Sequence, residues 1–419
     1  MTGLPQQYRL ALPGVVLGTV AIDALGFGIV APVMPDLVMQ LSRASDSRAS
    51  LLMGILLATF ALMQFLFAPL LGGLSDRYGR RPILLLSLTG TCAGYLLLAW
   101  APALAWLFVG QMISGATEAN ISTANAYIAD VTPPAERAQR FGLIGAAFAI
   151  GFVLGPAVGG ALGAYGLRIP FIAAASLAGA NALYGLVALP ESLPRARRRR
   201  FQWRSADPVS VLRRVASDRT YSRLAIAWCS IWIAFGALQS SFVLANETRL
   251  GWTPAQNGMA LLALGLGVAI IQAAAMKRII ARFGLQHTVL ISLAGSGCGH
   301  LCLAFASTGW MVLLGIILLA CGTMSNPSIQ AMVSADTPPD RQGEVLGALA
   351  SLRGMTAIGS PLLAGSLFAL FTGGSLHFPG APFLLAACTY GGAFIAVRGI
   401  VSRRSGQRSR TDCSEDDPA

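Results

Sequence analysis

Four ionisable side chains stand deep inside long apolar runs: Asp23, Glu118, His300 and Arg353. Charge is expensive in lipid, so such groups are kept for a task. Asp23 lies about twelve residues into its run, roughly mid-membrane at about 1.5 Å of helical rise per residue. A carboxyl in such surroundings can take up and release protons near neutral pH, as a proton carrier must. The alternative is a structural acid satisfied at the bend of Gly26 and Gly28. Glu118 sits in SGATEANIST among small residues that leave room for a ligand or a file of water. It is the second proton-coupling candidate, with pairing to Arg353 or a backbone donor as the alternative. His300 is either a cavity residue or a packed, hydrogen-bonded one. Arg353 lies about ten residues into its run and cannot shed its charge. It therefore needs an anion or persistent water, and the candidate anions are Asp23, Glu118 or a substrate group. Gln64, Asn120, Asn125, Gln239, Gln272 and Asn326 are neutral polar groups in other runs, able to line a cavity or tie helices together.

The elements that must position these groups follow from composition. The chain is 55% hydrophobic and 11% charged over 419 residues, with mean hydropathy +0.64. Soluble domains carry about 25% charged residues, so lipid must solvate most of this chain. Twelve segments are apolar and long enough to span: 11–33, 51–74, 82–101, 104–128, 141–164, 169–189, 222–245, 256–277, 286–306, 309–332, 343–371 and 380–401. The net charge of +12 is confined to short connections, which argues against a nucleic-acid surface. With both termini inside, 25 arginines and lysines fall on the cytoplasmic side and four outside. Six of the seven cysteines lie in apolar runs and read as small packing residues, not disulfide partners or metal ligands. The first run is too long for a cleaved signal peptide and reads as the first span.

The chain divides into a six-helix bundle (1–189), an arginine-rich cytoplasmic linker (190–221), a second six-helix bundle (222–404) and a charged tail (405–419) that composition reads as disordered. The halves resemble each other at an offset of about 205 residues: Ala129-Asp130-Val131-Thr132-Pro133-Pro134 against Ala335-Asp336-Thr337-Pro338-Pro339, and Arg77-Tyr78-Gly79 against Arg282-Phe283-Gly284. Parallel repeats of this kind predict a transporter with its site between the halves.

One charged knot stands out in the first hundred residues, GGLSDRYGRRP at 72–82. Its G-x-x-x-D-R-x-G-R-R pattern resembles the loop signature of the major facilitator superfamily. Gly142, Gly151, Gly155-Pro156 and Gly159-Gly160 resemble the fifth-helix signature of its twelve-helix drug/proton antiporters. Asp23-x-x-Gly26-x-Gly28-x-x-x-Pro32-x-x-Pro35 and Ala126-Tyr127-Ile128-Ala129-Asp130 are similar to the tetracycline-efflux branch. The resemblance spans about residues 15–400. It implies an all-α fold of twelve transmembrane helices in two pseudo-symmetric bundles, in a bacterial inner membrane. It also implies a non-enzymatic, proton-coupled exporter of an amphiphilic drug or metabolite, working without a cofactor and as a monomer. Antibiotic resistance, with tetracycline as one candidate substrate, follows from the branch. The sequence departs from the branch at Gly94 and Ser296, where membrane acids stand, and at Gln111, where an arginine stands.

Asp76, Arg77, Gly79, Arg80 and Arg81 then read as a conformational latch. Asp76 is expected at the start of the third helix, near its N-terminal dipole, or paired with arginines of the facing half. The arginines alone could equally be topology anchors. The glycines of the fifth helix permit close approach and Pro156 permits a bend, a seam between the halves that would seal a leak path. No Walker-type G-x-x-x-x-G-K-[S/T] stretch occurs and Lys277 is the only lysine, which argues against ATP drive. The competing classes are a proton-coupled nutrient importer and a non-transporting membrane sensor or scaffold.

Overall fold

The computed structural model describes residues 6–43, 45–132, 137–194, 198, 219–336, 342–373 and 377–415. Most of the linker 190–221, Pro133-Pro134 and Thr337-Pro338-Pro339 of the repeated motif, and Arg341 lie outside them. The described residues form helices α1 (Gln6–Val30), α2 (Met34–Ser42), α3 (Asp46–Tyr78), α4 (Arg80–Ala99), α5 (Leu104–Thr117), α6 (Asn120–Val131), α7 (Arg137–Gly163) and α8 (Ile169–Ala188). They continue as α9 (Arg219–Leu250), α10 (Pro254–Ile270), a π-helical turn (Ile271–Ala275), α11 (Met276–Ala304), α12 (Gly309–Gly322), α13 (Ser325–Asp336), α14 (Gln342–Gly373) and α15 (Ala381–Glu415). Among the described residues nine helices are long and apolar enough to cross a membrane, by length and composition, and α1 with α2, bent by 46° at their break, makes a tenth if the pair is one span. Helix is what lipid dictates, since it satisfies each backbone group within its own segment.

The twelve apolar segments are all helical, but four are not single helices. The first gives way at 31–33, around Pro32, to a bend of 46° into α2. The fourth breaks at Glu118-Ala119 and the tenth at Thr323-Met324. The eighth carries the π turn, and α11 contains the boundary between the eighth and ninth at Gly284, whose φ of 74° only glycine adopts easily. The last helix runs to Glu415, into the segment from 405 that composition reads as disordered. Extending an existing helix needs no new nucleus, so a polar sequence can follow on.

The chain forms two compact units: residues 1–205 with 240–265, and 206–239 with 266–419. In the first unit α7 lies on α1 through glycines. A Cβ added at Gly28 would stand 2.8 Å from the Gly155 Cα and 2.9 Å from Pro156 Cδ, and Gly159 abuts the Ile29 carbonyl. The other side of α7 meets the start of α10: Gly160 lies against Pro254 and Ala255, and Gly258 against the Pro156 carbonyl. The expected glycine seam is therefore formed first with α1 of the same bundle, and Gly142 takes no part, with nothing within 4 Å of its would-be Cβ. Gly94 of α4 packs on Gly110 and Ser114 of α5. The second unit repeats this crossing about 205 residues on, with Gly299 of α11 on Gly315 of α12. Each unit has its own core, built around Tyr127, Ile128 and Leu84 in the first and around Trp228, Leu293 and Val397 in the second. Apolar side chains also cover the outside: Val187 is 88% and Ile395 73% exposed, as lipid-facing residues should be.

The α1–α7 contact gives a direct test. Gly28→Ala should lower the thermal unfolding midpoint in detergent, at a cost of about 1–3 kcal/mol for overpacking a close seam. Gly142→Ala should leave the midpoint unchanged or slightly raised.

Candidate functional site

The chemistry of the first unit gathers where its fourth span breaks. α5 stops at Thr117, and Glu118 takes an extended conformation (φ −71°, ψ 91°) before α6 resumes at Asn120. The loose carbonyls of α5 find local donors. Thr117 Oγ1 donates to the Ile113 carbonyl at 2.8 Å, and the Glu118 N–H donates to Gly115 at 3.2 Å. Beyond the break, Ser122 Oγ donates to the Ala119 carbonyl at 3.0 Å. Irregular backbone at membrane depth is tolerated where it is buried in protein or lines a cavity.

Around this break stand Asp23 of α1, Tyr95 of α4 and Asn120 of α6. Tyr95 packs its ring against Gly26 and lies within electrostatic reach of both Asp23 and Glu118. Glu118 is in turn within reach of Asp23. Asn120 lies against Asp23, yet neither end of its buried amide has a hydrogen-bond partner of good geometry among the described residues. Thr123 and Ser114 present further buried hydroxyls without partners on the same two helices. The two acids are thus brought together among neutral polar groups of the first unit.

Arg353, in the second unit, has an aromatic partner instead of an acid. Its guanidinium carbon sits 4.1 Å from the centroid of the Trp232 ring. The ring quadrupole supplies the negative face that a carboxylate would otherwise supply. His300 is buried, its Nδ1 2.9 Å from the Ser296 carbonyl and its ring 5.4 Å from that of Tyr390. That is the packed alternative. Gln272 falls in the π turn and is exposed; Gln64 and Gln239 are half-buried. Asn326 Oδ1 accepts from Gln330 Nε2 at 2.7 Å, and Asn125 is half-buried.

The charged knot is closed within the first unit. Asp76 belongs to the last turn of α3, not to the start of α4, and pairs with Arg80 at 2.6 Å. Arg80 also donates to Asp130 Oδ2 at 3.0 Å and to Ser75 Oγ at 3.1 Å. The N-terminus of α4 is met by another acid, Glu191, which accepts from the Arg80 backbone N–H at 2.8 Å. It can come this close because Gly79, at φ 116°, has no Cβ in its way. Arg81 donates to the Leu186 carbonyl at 2.6 Å, and Arg77 sits 5.1 Å over Tyr78. Asp130 and Glu191 were not singled out as knot residues. The signals for Asp130 were its place in the repeated Ala-Asp motif and at the end of Ala126-Tyr127-Ile128-Ala129-Asp130, and Glu191 had none within reach of a local pattern.

The Major Facilitator Superfamily model matches residues 16–275 and 224–416. The chain is 40% identical to the class C tetracycline resistance protein of Escherichia coli over 85% of its length and 89% of that protein's. It is 37% identical to the class G tetracycline resistance protein of Vibrio anguillarum, over 84% of this chain and 89% of that one. Among solved structures, the human organic anion transporter MFSD10 (TETRAN) superposes with a TM-score of 0.68 at 25% identity, covering 94% of this chain and 100% of that one. A helical membrane fold built of two repeats, with polar groups inside its spans and these matches, defines a membrane transporter and not an enzyme. The chain belongs to the Major Facilitator Superfamily, in the branch that holds the tetracycline resistance proteins.

The knot predicts a ranking. The Arg80–Asp130 contact is mostly covered, with side chains 12% and 21% exposed, whereas Asp76 is 50% exposed. Asp130→Asn should destabilise by about 1.5–3 kcal/mol, the range for hydrogen bonds to charged groups. Asp76→Asn should cost about 0–1 kcal/mol. Thermal unfolding of the two variants in detergent checks the order.

Proposed function

We propose that the protein is a proton-driven antiporter that exports an amphiphilic drug or metabolite across a bacterial cytoplasmic membrane, both termini inside. Tetracycline is one candidate substrate. The observation that carries the reading is the break at Glu118, which sets two intramembrane acids near one another among neutral polar groups of the first unit. Two carboxyls in a poorly solvated pocket cannot both carry charge cheaply. Such a pocket exchanges a proton whenever its access to water changes, and that exchange is what couples a gradient to transport. Asn120 and Tyr95 supply the neutral hydrogen-bonding groups that keep either charge state tolerable. The gradient provides about 2.3 kcal/mol per charge per 100 mV, without a bound cofactor.

The names of the relatives support drug export. Gly94, Ser296 and Gln111 mark where the coupling residues of this chain differ from the branch pattern. In this reading Glu118 takes over a proton site that the branch places on other helices. The single chain carries both acids and so works as a monomer.

Everted vesicles test this. Under an imposed proton gradient, tetracycline should accumulate, and its addition should release protons from an energised lumen. Asp23→Asn and Glu118→Gln should each reduce gradient-driven accumulation by at least about tenfold, near 1.4 kcal/mol in effective coupling, with the protein still in the membrane. Uptake in the opposite direction would mark an importer. No gradient-driven flux of tetracycline or of a panel of amphiphilic drugs would favour a sensor. Unchanged accumulation in both variants would remove the two acids from the coupling role.

A further inference from the structure

Arg353 is exposed on a face of α14 that lies well within the span Leu349–Gly373, and Trp232 is half-buried in the span Ser222–Leu250. A permanent cation in contact with lipid tails would be prohibitively costly, so this face must meet water. The site is also firmly built. Trp228 Nε1 donates to the Leu349 carbonyl at 2.8 Å, and Gly236 admits Ser360, which hold α9 and α14 in register on either side of the pair. Trp228 and Phe235 stand edge-on to the Trp232 ring, with centroids 6.1 Å and 5.6 Å away. The ring is therefore fixed before any ligand arrives.

Two features remain unused. Among the described residues, no oxygen accepts from the Arg353 guanidinium, whose one contact is the Trp232 ring. The Trp232 Nε1–H also lacks an acceptor. The spanning parts of this unit carry no acid nearby; within α14 the one acid is Glu344, in its first turn, more than two turns from Arg353. A planar fork of donors beside an indole, in a locally positive setting, matches an oxygen anion borne on a flat ring.

We propose that Arg353 and Trp232 form a subsite for an aromatic oxyanion, a ring-borne carboxylate or enolate, and so set the charge preference of the transported compound. Arg353 takes the anionic oxygens and Trp232 takes the ring face beside them. The word "transported" rests on the export reading above; the binding site itself does not.

Binding in detergent keeps the two apart, since it needs no gradient. The full-length protein would be titrated with 2-naphthoate and with 2-naphthamide, equal rings that differ in charge, and followed by tryptophan fluorescence. The wild type should bind naphthoate at least about tenfold more tightly than naphthamide. Arg353→Gln should abolish that preference. Arg353→Lys, which keeps the charge and guards against a misfolded Gln variant, should shrink it severalfold by removing the planar fork. Trp232→Leu should weaken both probes together. Equal affinity for the two probes in the wild type, no saturable binding of either, or a preference undiminished in both Arg353 variants would overturn the proposal. A preserved naphthoate preference beside failed drug export would leave the subsite standing and remove the export reading alone.

Discussion

Lipid will not solvate a charge or an open peptide group, and the rest of this structure follows from that refusal. Every backbone group in a span needs a partner on its own chain, so the spans are helices. At two interrupted spans local hydroxyls close the gap, as Thr117 and Ser122 do beside Glu118 and as Thr323 and Ser325 do in the second unit. The few charges that remain are given company of a particular kind. Arg80 has two carboxylates, Arg353 an indole, and Arg168 the carbonyls of Ala99 and Ala101 at the end of α4.

The duplication shows which features are architectural and which belong to one half. The glycine crossing of α4 on α5 recurs as α11 on α12, and the break at Glu118-Ala119 recurs at Thr323-Met324. Thr123 and Ser328 are buried hydroxyls without partners at equivalent positions. The arginine–aromatic contact of Arg77 with Tyr78 recurs as Arg282 with Phe283, 5.5 Å over the ring. Asp130 recurs as Asp336, but two of the acids do not recur. Ala281 stands where Asp76 would, and Thr323 where Glu118 would. The common frame thus supplies bends, close crossings and the Asp130/Asp336 carboxylate, while Asp76 and Glu118 were placed on one copy only.

Much of this was legible from the residues. Segment length and hydropathy located twelve apolar segments that prove helical, because spanning requires about 20 apolar residues in a row, though α2 lay outside all of them. Asp23 and Glu118 were marked by the cost of a charge in such a run, and the structure does bring them together. The break at Glu118 was not legible. No proline marks it, and it depends on how α5 and α6 sit against α1 and α4. The partners of the knot were hidden by distance, since Glu191 lies 111 residues from Arg80. The ring contact of Arg353 was missed, because an anion or water was sought for it and not an aromatic face. The stripe Trp228, Trp232, Phe235 along one side of α9 was the overlooked signal, a helical spacing that places three rings in a row.

The contact of Gly94 with Ser114 couples two positions across a helix crossing. A Cβ at 94 would run into the Ser114 hydroxyl and stand 3.1 Å from the Gly110 carbonyl. A larger side chain there asks the serine to turn aside and the crossing to give by a few tenths of an ångström. Positions 94 and 114 therefore behave as one site, and the effect of a change at either depends on which residue the other holds.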